Sequence, residues 1–515
     1  MPTNLLDKFG LDRNPFTDRT AEKTSLHDAS LYQHSDMQGF RPSDRTYVIF
    51  GRRGSGKTTI RLQMMAAYRA HNEAAQEAGK SRGHFVVDLC RPGHLTACLR
   101  EFQERIGANL ENWDAQFQEN WTTIDMVDCI LSFAATELVS RIVKPGGKGL
   151  EMLKALRNEG RRAKQFLLLA HLYARTDSAA LAFLRKSLIP PPYTTSQMAG
   201  GVGIGMAAIA GTTIVANSPG IQDALSGPLD RMWDTLTQHL PGLDKYPKLY
   251  LAGAGLAVAA SAWGYLQAVS RRSMRRAEGV QRSIRVVKQQ RPELIGLLLG
   301  QLFTPSDTVD TVREMYIGVS AHQKLDLLQD LVMLMGFESL TVFGDCFDEV
   351  TLLDPVLYPG AIKVFARDVC RNDLLNFGRL HFFFPDSRLA LDLNTDKTLK
   401  EARFDRHYVR DLVWSRHQLE ELAERRWQAS QDANRASAIA MEGSDPDMGS
   451  ETTFSDLFKK VRGEDFSSYI AKLSTPRELL MMMSEMFSRM EAHPDGALTA
   501  QDMEIAVTKA LEQAV

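Results

Sequence analysis

The stretch Phe50-Gly51-Arg52-Arg53-Gly54-Ser55-Gly56-Lys57-Thr58-Thr59 constrains this 515-residue chain more than any other. It fits G-x-x-x-x-G-K-[ST], a phosphate-binding loop. Such a loop works only between a strand and a helix, and both are legible. Thr46 to Phe50 reads as a short β-strand, and Thr58 to about Asn72 as a helix. Gly51, Gly54 and Gly56 let the backbone wrap a phosphate with its N–H groups turned inward. Arg52, Arg53, Ser55 and Thr59 belong to the same binding stretch. The helix start adds positive potential. Lys57 is placed to reach the β- and γ-phosphates of a nucleotide, and Thr58 to hold Mg²⁺.

A second stretch lies far downstream: Leu340-Thr341-Val342-Phe343-Gly344-Asp345-Cys346-Phe347-Asp348-Glu349. This is a β run ending in acids, the arrangement that holds Mg²⁺ through water. Asp345 fits that role because the residues before it read as buried strand. Asp348 and Glu349 are candidates to polarise an attacking water. Thr58 with Asp345 is thus the expected metal pair, and Asp345, Asp348 and Glu349 the expected catalytic acids. Three further strands are expected at His84–Leu89, Arg379–Phe384 and Arg406–Val413. Asp88 reads as a cap or as a residue facing the nucleotide site, and the polar tip Asp386-Ser387 as a γ-phosphate sensor or a plain turn. Helical spacing runs from Gly93 to Phe183, over His322–Met335 (Leu325, Leu328 and Val332 on one face), over Ala361–Phe377 and over Ser415–Trp427. Gln431 to Ser450 is polar and reads as a flexible linker. Thr475 caps a final helical segment with Pro476 in its first turn.

The distance from Gly51 to Asp345 exceeds what one α/β domain needs, so a large insertion is expected. A net charge of −2 hides its character. Arg141 to Lys186 holds 11 Lys/Arg against 3 acids, and Arg271 to Arg291 holds eight against one. Between them lie two apolar runs, 198–218 and 249–269, each long enough for a bilayer core. Gly203 with Ala207 and Gly253 with Ala257 have the small-xxx-small spacing of packed membrane helices. The connecting segment Pro219–Lys248 carries four acids and three bases. Basic outer flanks around a non-basic loop predict a transmembrane hairpin through residues 198–270 with both ends cytoplasmic. Two other readings use the same residues: a buried Gly/Ala-rich helical pair, or arginines that bind nucleic acid. Five scattered cysteines make no C-x-x-C pair, which fits a reducing cytosol. The histidines form no metal-ligand spacing along the chain.

Membrane helices between the two acid- and phosphate-handling stretches resemble the layout of the KAP family of P-loop NTPases, in the STAND/AAA+ class. At residue level the resemblance rests on Gly51 to Thr58, Asp345 to Glu349, and Thr475-Pro476-Arg477, which is similar to the Asn-Pro-Arg of the family's helical lid. It implies an α/β P-loop NTPase core with a parallel sheet, a large α-helical insertion containing the transmembrane hairpin, and a C-terminal α-helical lid. On that layout residues 1–92 hold the N-terminal arm and the first half of the core. Residues 93–335 are the insertion, 336–430 the second half of the core, 431–450 the linker and 451–515 the lid. The resemblance further implies ATP with Mg²⁺, Arg477 touching the nucleotide, and a membrane-anchored ATPase switch in bacterial defence against phage or foreign DNA; the alternatives are a soluble AAA+-type ATPase acting on nucleic acid and a nucleotide-binding membrane scaffold with little hydrolysis. The expected location is the inner membrane with a cytoplasmic NTPase domain, or the cytoplasm if the hairpin is a soluble pair. The segment Asn14-Pro15-Phe16 resembles one that packs near the adenine in such ATPases, and reads equally well as a packed arm. Arg367, Arg371, Arg425 and Arg426 are candidates to act in trans in a homo-oligomer, or to sit in surface salt bridges. One departure stands out: Cys346 occupies the place of a second acid. A thiol does not replace a carboxylate at neutral pH, which leaves the role to Asp348 or Glu349, or implies slow turnover.

Overall fold

Runs of β-branched and aromatic residues become the strands, as their preference for a pleated, buried surface requires. They are β1 (Tyr47–Phe50), β2 (Phe85–Asp88), β3 (Leu340–Gly344), β4 (Leu380–Phe384) and β5 (Tyr408–Asp411). All pairings are parallel, in the order β2-β3-β4-β1-β5. β3 and β4 are buried along their whole length, whereas β5 is half-buried to exposed, as an edge strand is. These observations come from a computed structural model that describes residues 11, 13–17, 34–78, 83–144, 146–188, 271–272, 274–302, 319–386, 407–442, 466–492 and 498–514.

The strand order creates a crevice. The connection from β1 leads across β4 and β3 to β2 at one edge. The later connections step back the other way, and the last passes beyond β1 to β5. Connections leaving adjacent β1 and β4 in opposite directions mark a topological switch point, where α/β sheets bind ligands beyond the carboxyl ends of the strands.

The helices in chain order are α1 (Lys57–Ala78), α2 (Pro92–Ile106), α3 (Trp113–Asn120), α4 (Thr123–Val143), α5 (Gly147–Asn158), α6 (Gly160–Tyr173), α7 (Ser178–Leu188), α8 (Pro292–Leu302), α9 (Ala321–Leu334), α10 (Pro359–Val369), α11 (Asn372–Leu375), α12 (Arg416–Glu442), α13 (Phe466–Ile470), α14 (Pro476–Ala492) and α15 (Ala500–Ala514). The chain divides into two compact units, Met1–Ala134 with Ser320–Val515, and Ala135–Val319. The first holds the sheet, and its C-terminal helices share one core with α1. There Ile60, Met64 and Tyr68 of α1 join Leu419 and Trp427 of α12, a run of methionines on α14, and Met503 of α15. Unbranched thioethers fill such irregular gaps well. The second unit is helical where described; Phe166, Leu167, Leu168 and Tyr173 bury the face of α6.

Several expectations change. The helix after the glycine loop runs on to Ala78, carried by good helix formers. Residues 431–442 belong to α12 and not to a linker, because alanines at 433, 436, 438 and 440 outweigh the polarity of the segment, and the rest of the expected linker, 443–450, lies outside the described residues. The helix expected over Ala361–Phe377 starts at Pro359, a residue suited to a first helical position, and breaks at Cys370 before the short α11. α9 keeps its expected face, with Leu325, Leu328 and Val332 buried, and a Ser320/Gln323 capping box fixes its start. The candidate membrane runs 198–218 and 249–269 lie outside the described residues. Among the described residues no helix is long and apolar enough to cross a membrane.

One core residue makes stability depend on pH. His381, the second residue of β4, is fully buried with Nε2 2.9 Å from the Tyr68 hydroxyl. Burial pushes its pKa from 6.5 down to about 3. Below pH 6.5 the unfolded chain takes up a proton that the folded chain refuses until about pH 3. Stability therefore falls as pH falls across that window, by up to about 1.4 kcal/mol per pH unit. Urea unfolding at several pH values should give this slope, and His381→Gln should reduce it by about one proton's worth.

Candidate functional site

The glycine loop leaves β1 at the crevice. Gly51 N–H donates to Phe384 O of β4 at 3.2 Å, which fixes the loop beside the switch point. Gly54 and Gly56 have φ of +82° and +90°, conformations open to glycine. Gly54 also needs its missing side chain, since a Cβ there would lie 2.4 Å from Arg477 Cβ. Arg477 N–H donates to Gly54 O at 3.2 Å, and Trp414, after β5, donates from Nε1 to Ser55 O at 2.8 Å. The loop is thus held from two sides, by the start of α14 and by the segment after β5. The α14 start is itself rigid. Thr475 Oγ1 accepts from Glu478 N–H at 3.3 Å and the Glu478 carboxylate accepts from Thr475 N–H at 3.2 Å, a capping box.

Lys57 opens α1 and folds back over the loop, donating from Nζ to Gly51 O at 2.7 Å and Arg52 O at 3.1 Å. Burial lowers its pKa, and the nearby carboxylates of Asp348 and Asp345 oppose that shift. Thr58, next on the helix, donates from Oγ1 to Asp345 Oδ2 at 3.0 Å. The two residues expected to share a metal are therefore brought together from positions 287 apart in the chain. Asp345 follows β3 directly and is buried. Desolvation pushes its carboxyl above the usual range, while the Cys346 N–H, Arg61 and Thr58 pull it down.

Arg61 is the member that the sequence did not announce. It lies one turn after Lys57, with Nε 3.3 Å from Asp345 Oδ2 and Nη1 3.7 Å from Asp88 Oδ1. Its spacing, four residues past the lysine on the same helix face, was the available signal. Asp88 proves to be a turn residue, accepting from Cys90 N–H at 3.0 Å, as well as Arg61's second partner.

Past Asp345 the chain turns sharply. Cys346 has φ of 60°, and Phe347–Glu349 forms one 3₁₀ turn. Phe347 anchors that turn among Phe365, Phe382 and Phe384, with ring centroids 5.0–6.0 Å apart. Asp348 is half-buried and acts on Lys57, whereas Glu349 is exposed. Burial pushes the Cys346 thiol up to about 12, helped by the adjacent carboxylates, so it stays protonated at neutral pH. Arg52 is exposed and reaches Asp386 at 3.4 Å, and Arg53 is exposed. Ser387 lies outside the described residues. Thr59 is half-buried on α1.

The other arginines have intramolecular partners. Arg371 donates to Thr123 Oγ1 at 3.1 Å and pairs with Asp368, Arg425 pairs with Glu421, and Arg426 donates to Pro15 O at 3.3 Å. Pro15 and Phe16 are thereby tied to α12, with Phe16 against Phe487 in the core. The histidines, dispersed in sequence, are not all dispersed in space. His71 and His84 meet beside Glu338.

Three features of the loop suit phosphate oxygens and a hard cation. The glycine cradle has no room for a Cβ at Gly51 or Gly54. The buried Ser55 Oγ has no hydrogen-bond partner among the described residues. Thr58 and Asp345 offer an all-oxygen donor pair of the kind Mg²⁺ takes. The chain matches no protein-family model, no curated protein and no solved structure.

Proposed function

We propose that this chain is an ATP-binding, Mg²⁺-dependent P-loop NTPase of KAP type, anchored in a membrane through residues 198–270 and acting as a nucleotide-driven switch. The observation that carries the nucleotide reading is the Thr58–Asp345 hydrogen bond beside a glycine loop already capped by Lys57. On this reading Lys57 exchanges the Gly51 and Arg52 carbonyls for phosphate oxygens. Loop N–H groups cradle the phosphates, and Thr58 and Asp345 hold the cation. Mg²⁺, when bound, supplies charge neutralisation across the β- and γ-phosphates. Arg61 opposes the upward shift that burial gives the Asp345 carboxyl. Asp348, which acts on the Lys57 charge and is less exposed than Glu349, orients the attacking water. Arg477, seated on Gly54, couples the loop to α14, so that occupancy of the loop biases the C-terminal helices. The membrane anchor rests on the charge pattern around 198–270, and the defence role on the family resemblance alone.

The test is steady-state ATP hydrolysis. Asp348→Asn should lower kcat by about 10²-fold or more with the affinity for ATP little changed, and Glu349→Gln should have a small effect. Equal rates in all three chains would remove the catalytic assignment.

A second reading has its own observation. Arg271, Arg272, Arg275 and Arg282 are exposed, as a nucleic-acid-binding flank would be. On the first reading the chain stays in carbonate-washed membranes. Recovery in the soluble fraction with DNA-stimulated, salt-sensitive hydrolysis would favour the second.

A further inference from the structure

At the opposite, N-terminal edge of the sheet, three side chains converge that the nucleotide reading does not use. His71 sits late on α1, His84 immediately before β2, and Glu338 two residues before β3. Their ligand atoms all lie within 4.8 Å of one another. The backbone there is stapled. Asn72 Oδ1 accepts from His84 N–H at 2.7 Å and Asn72 Nδ2 donates to His84 O at 2.9 Å, while Glu338 N–H donates to Gly83 O at 2.9 Å. The His84 ring is fixed by Nδ1 at 2.7 Å from Ser339 Oγ, and it stacks on the His71 ring with centroids 4.8 Å apart. His71 Nε2 is buried without a hydrogen-bond partner among the described residues, and lies 3.7 Å from Glu338 Oε2.

We propose that His71, His84 and Glu338 form a transition-metal site of the Zn²⁺ type that ties α1 to the starts of β2 and β3. Two imidazoles and one carboxylate are a borderline donor set, suited to Zn²⁺ or Co²⁺ and not to Mg²⁺, which prefers oxygen alone. Tetrahedral ligation at about 2.1 Å sets donor separations of about 3.4 Å. Small rotations of His71 and Glu338, whose side chains are 39% and 46% exposed, close the remaining gap. Ser339 at Nδ1 is the outer partner that orients a ligating imidazole and leaves Nε2 for the ion. The outward exposure of His71 and Glu338 leaves a fourth position to water. The ion would brace the helix that carries Lys57 and Thr58, and none of its ligands serves the phosphate loop.

The experiment is a Co²⁺ titration of the chelator-treated full chain without nucleotide. A visible d–d absorption should grow to one Co²⁺ per chain and be displaced by Zn²⁺. His71→Gln and Glu338→Gln, both at half-exposed positions, should each weaken Co²⁺ by at least about tenfold, and Ser339→Ala by a similar factor. No visible band in the wild-type chain, or a band that both ligand substitutions leave unchanged, overturns the proposal. Because nucleotide is absent, either result leaves the ATP reading to its own tests.

Discussion

Lys57→Ala is expected to weaken Mg·ATP binding by roughly a hundredfold or more. The substitution removes charge-assisted bonds to phosphate, about 3 kcal/mol in all, at about 1.4 kcal/mol per decade of affinity. The site explains why the loss should be large. Lys57 is a half-buried cation whose ammonium lies over the loop carbonyls, whereas Arg52 and Arg53 are exposed. Its Nζ now bonds two loop carbonyls, so the free chain already holds it in place. Losing the bond to the carbonyl of buried Gly51 should also cost some stability, about 1 kcal/mol. A calorimetric titration of wild type and variant, with thermal unfolding as the control, separates lost binding from lost fold. An unchanged affinity would mean that Lys57 does not meet phosphate.

The largest stability effect is expected at the Lys324–Asp128 pair. Nζ lies 2.7 Å from Oδ1, and the two side chains are 2% and 0% exposed. The pair joins α9, beside β3, to α4. Lys324→Met strands a carboxylate in the interior and should cost about 3–5 kcal/mol in urea unfolding. The double variant Lys324→Met with Asp128→Leu should recover most of that loss, since a well-packed apolar pair is often as stable as a buried ion pair. Additive losses in the double variant would show that the two side chains are not coupled.

The pair also illustrates what was legible in the chain. Lys324 and Asp128 stand 196 residues apart, and nothing local marks either as buried. The same holds for His71, His84 and Glu338, whose meeting depends on β2 and β3 being neighbours. By contrast, the glycine loop could be read directly, because its spacing encodes backbone conformation over a few residues. β3 and β4 were legible as apolar runs because both of their faces are covered. Their order was not, since β4 enters between β1 and β3 through non-local packing. Arg61 was missed because a helical arginine ordinarily points to water, and here it is buried between two aspartates. The end of α12 was missed because its polar residues hid an alanine-rich helix former. The Thr475 cap was legible because the capping residues are local, while the seat of Arg477 on Gly54 joins segments more than 400 residues apart.

The central claim is that Thr58 and Asp345, joined beside the glycine loop, form a Mg²⁺-dependent nucleotide site. Its most direct test is calorimetric titration of the wild-type chain with ATP, in Mg²⁺ and again in excess chelator. The account predicts one saturable site per chain that tightens by at least about tenfold with Mg²⁺, a coupling of about 1.4 kcal/mol. Asp345→Asn should remove that Mg²⁺ dependence. No binding in either condition, or binding indifferent to both Mg²⁺ and Asp345, would contradict it.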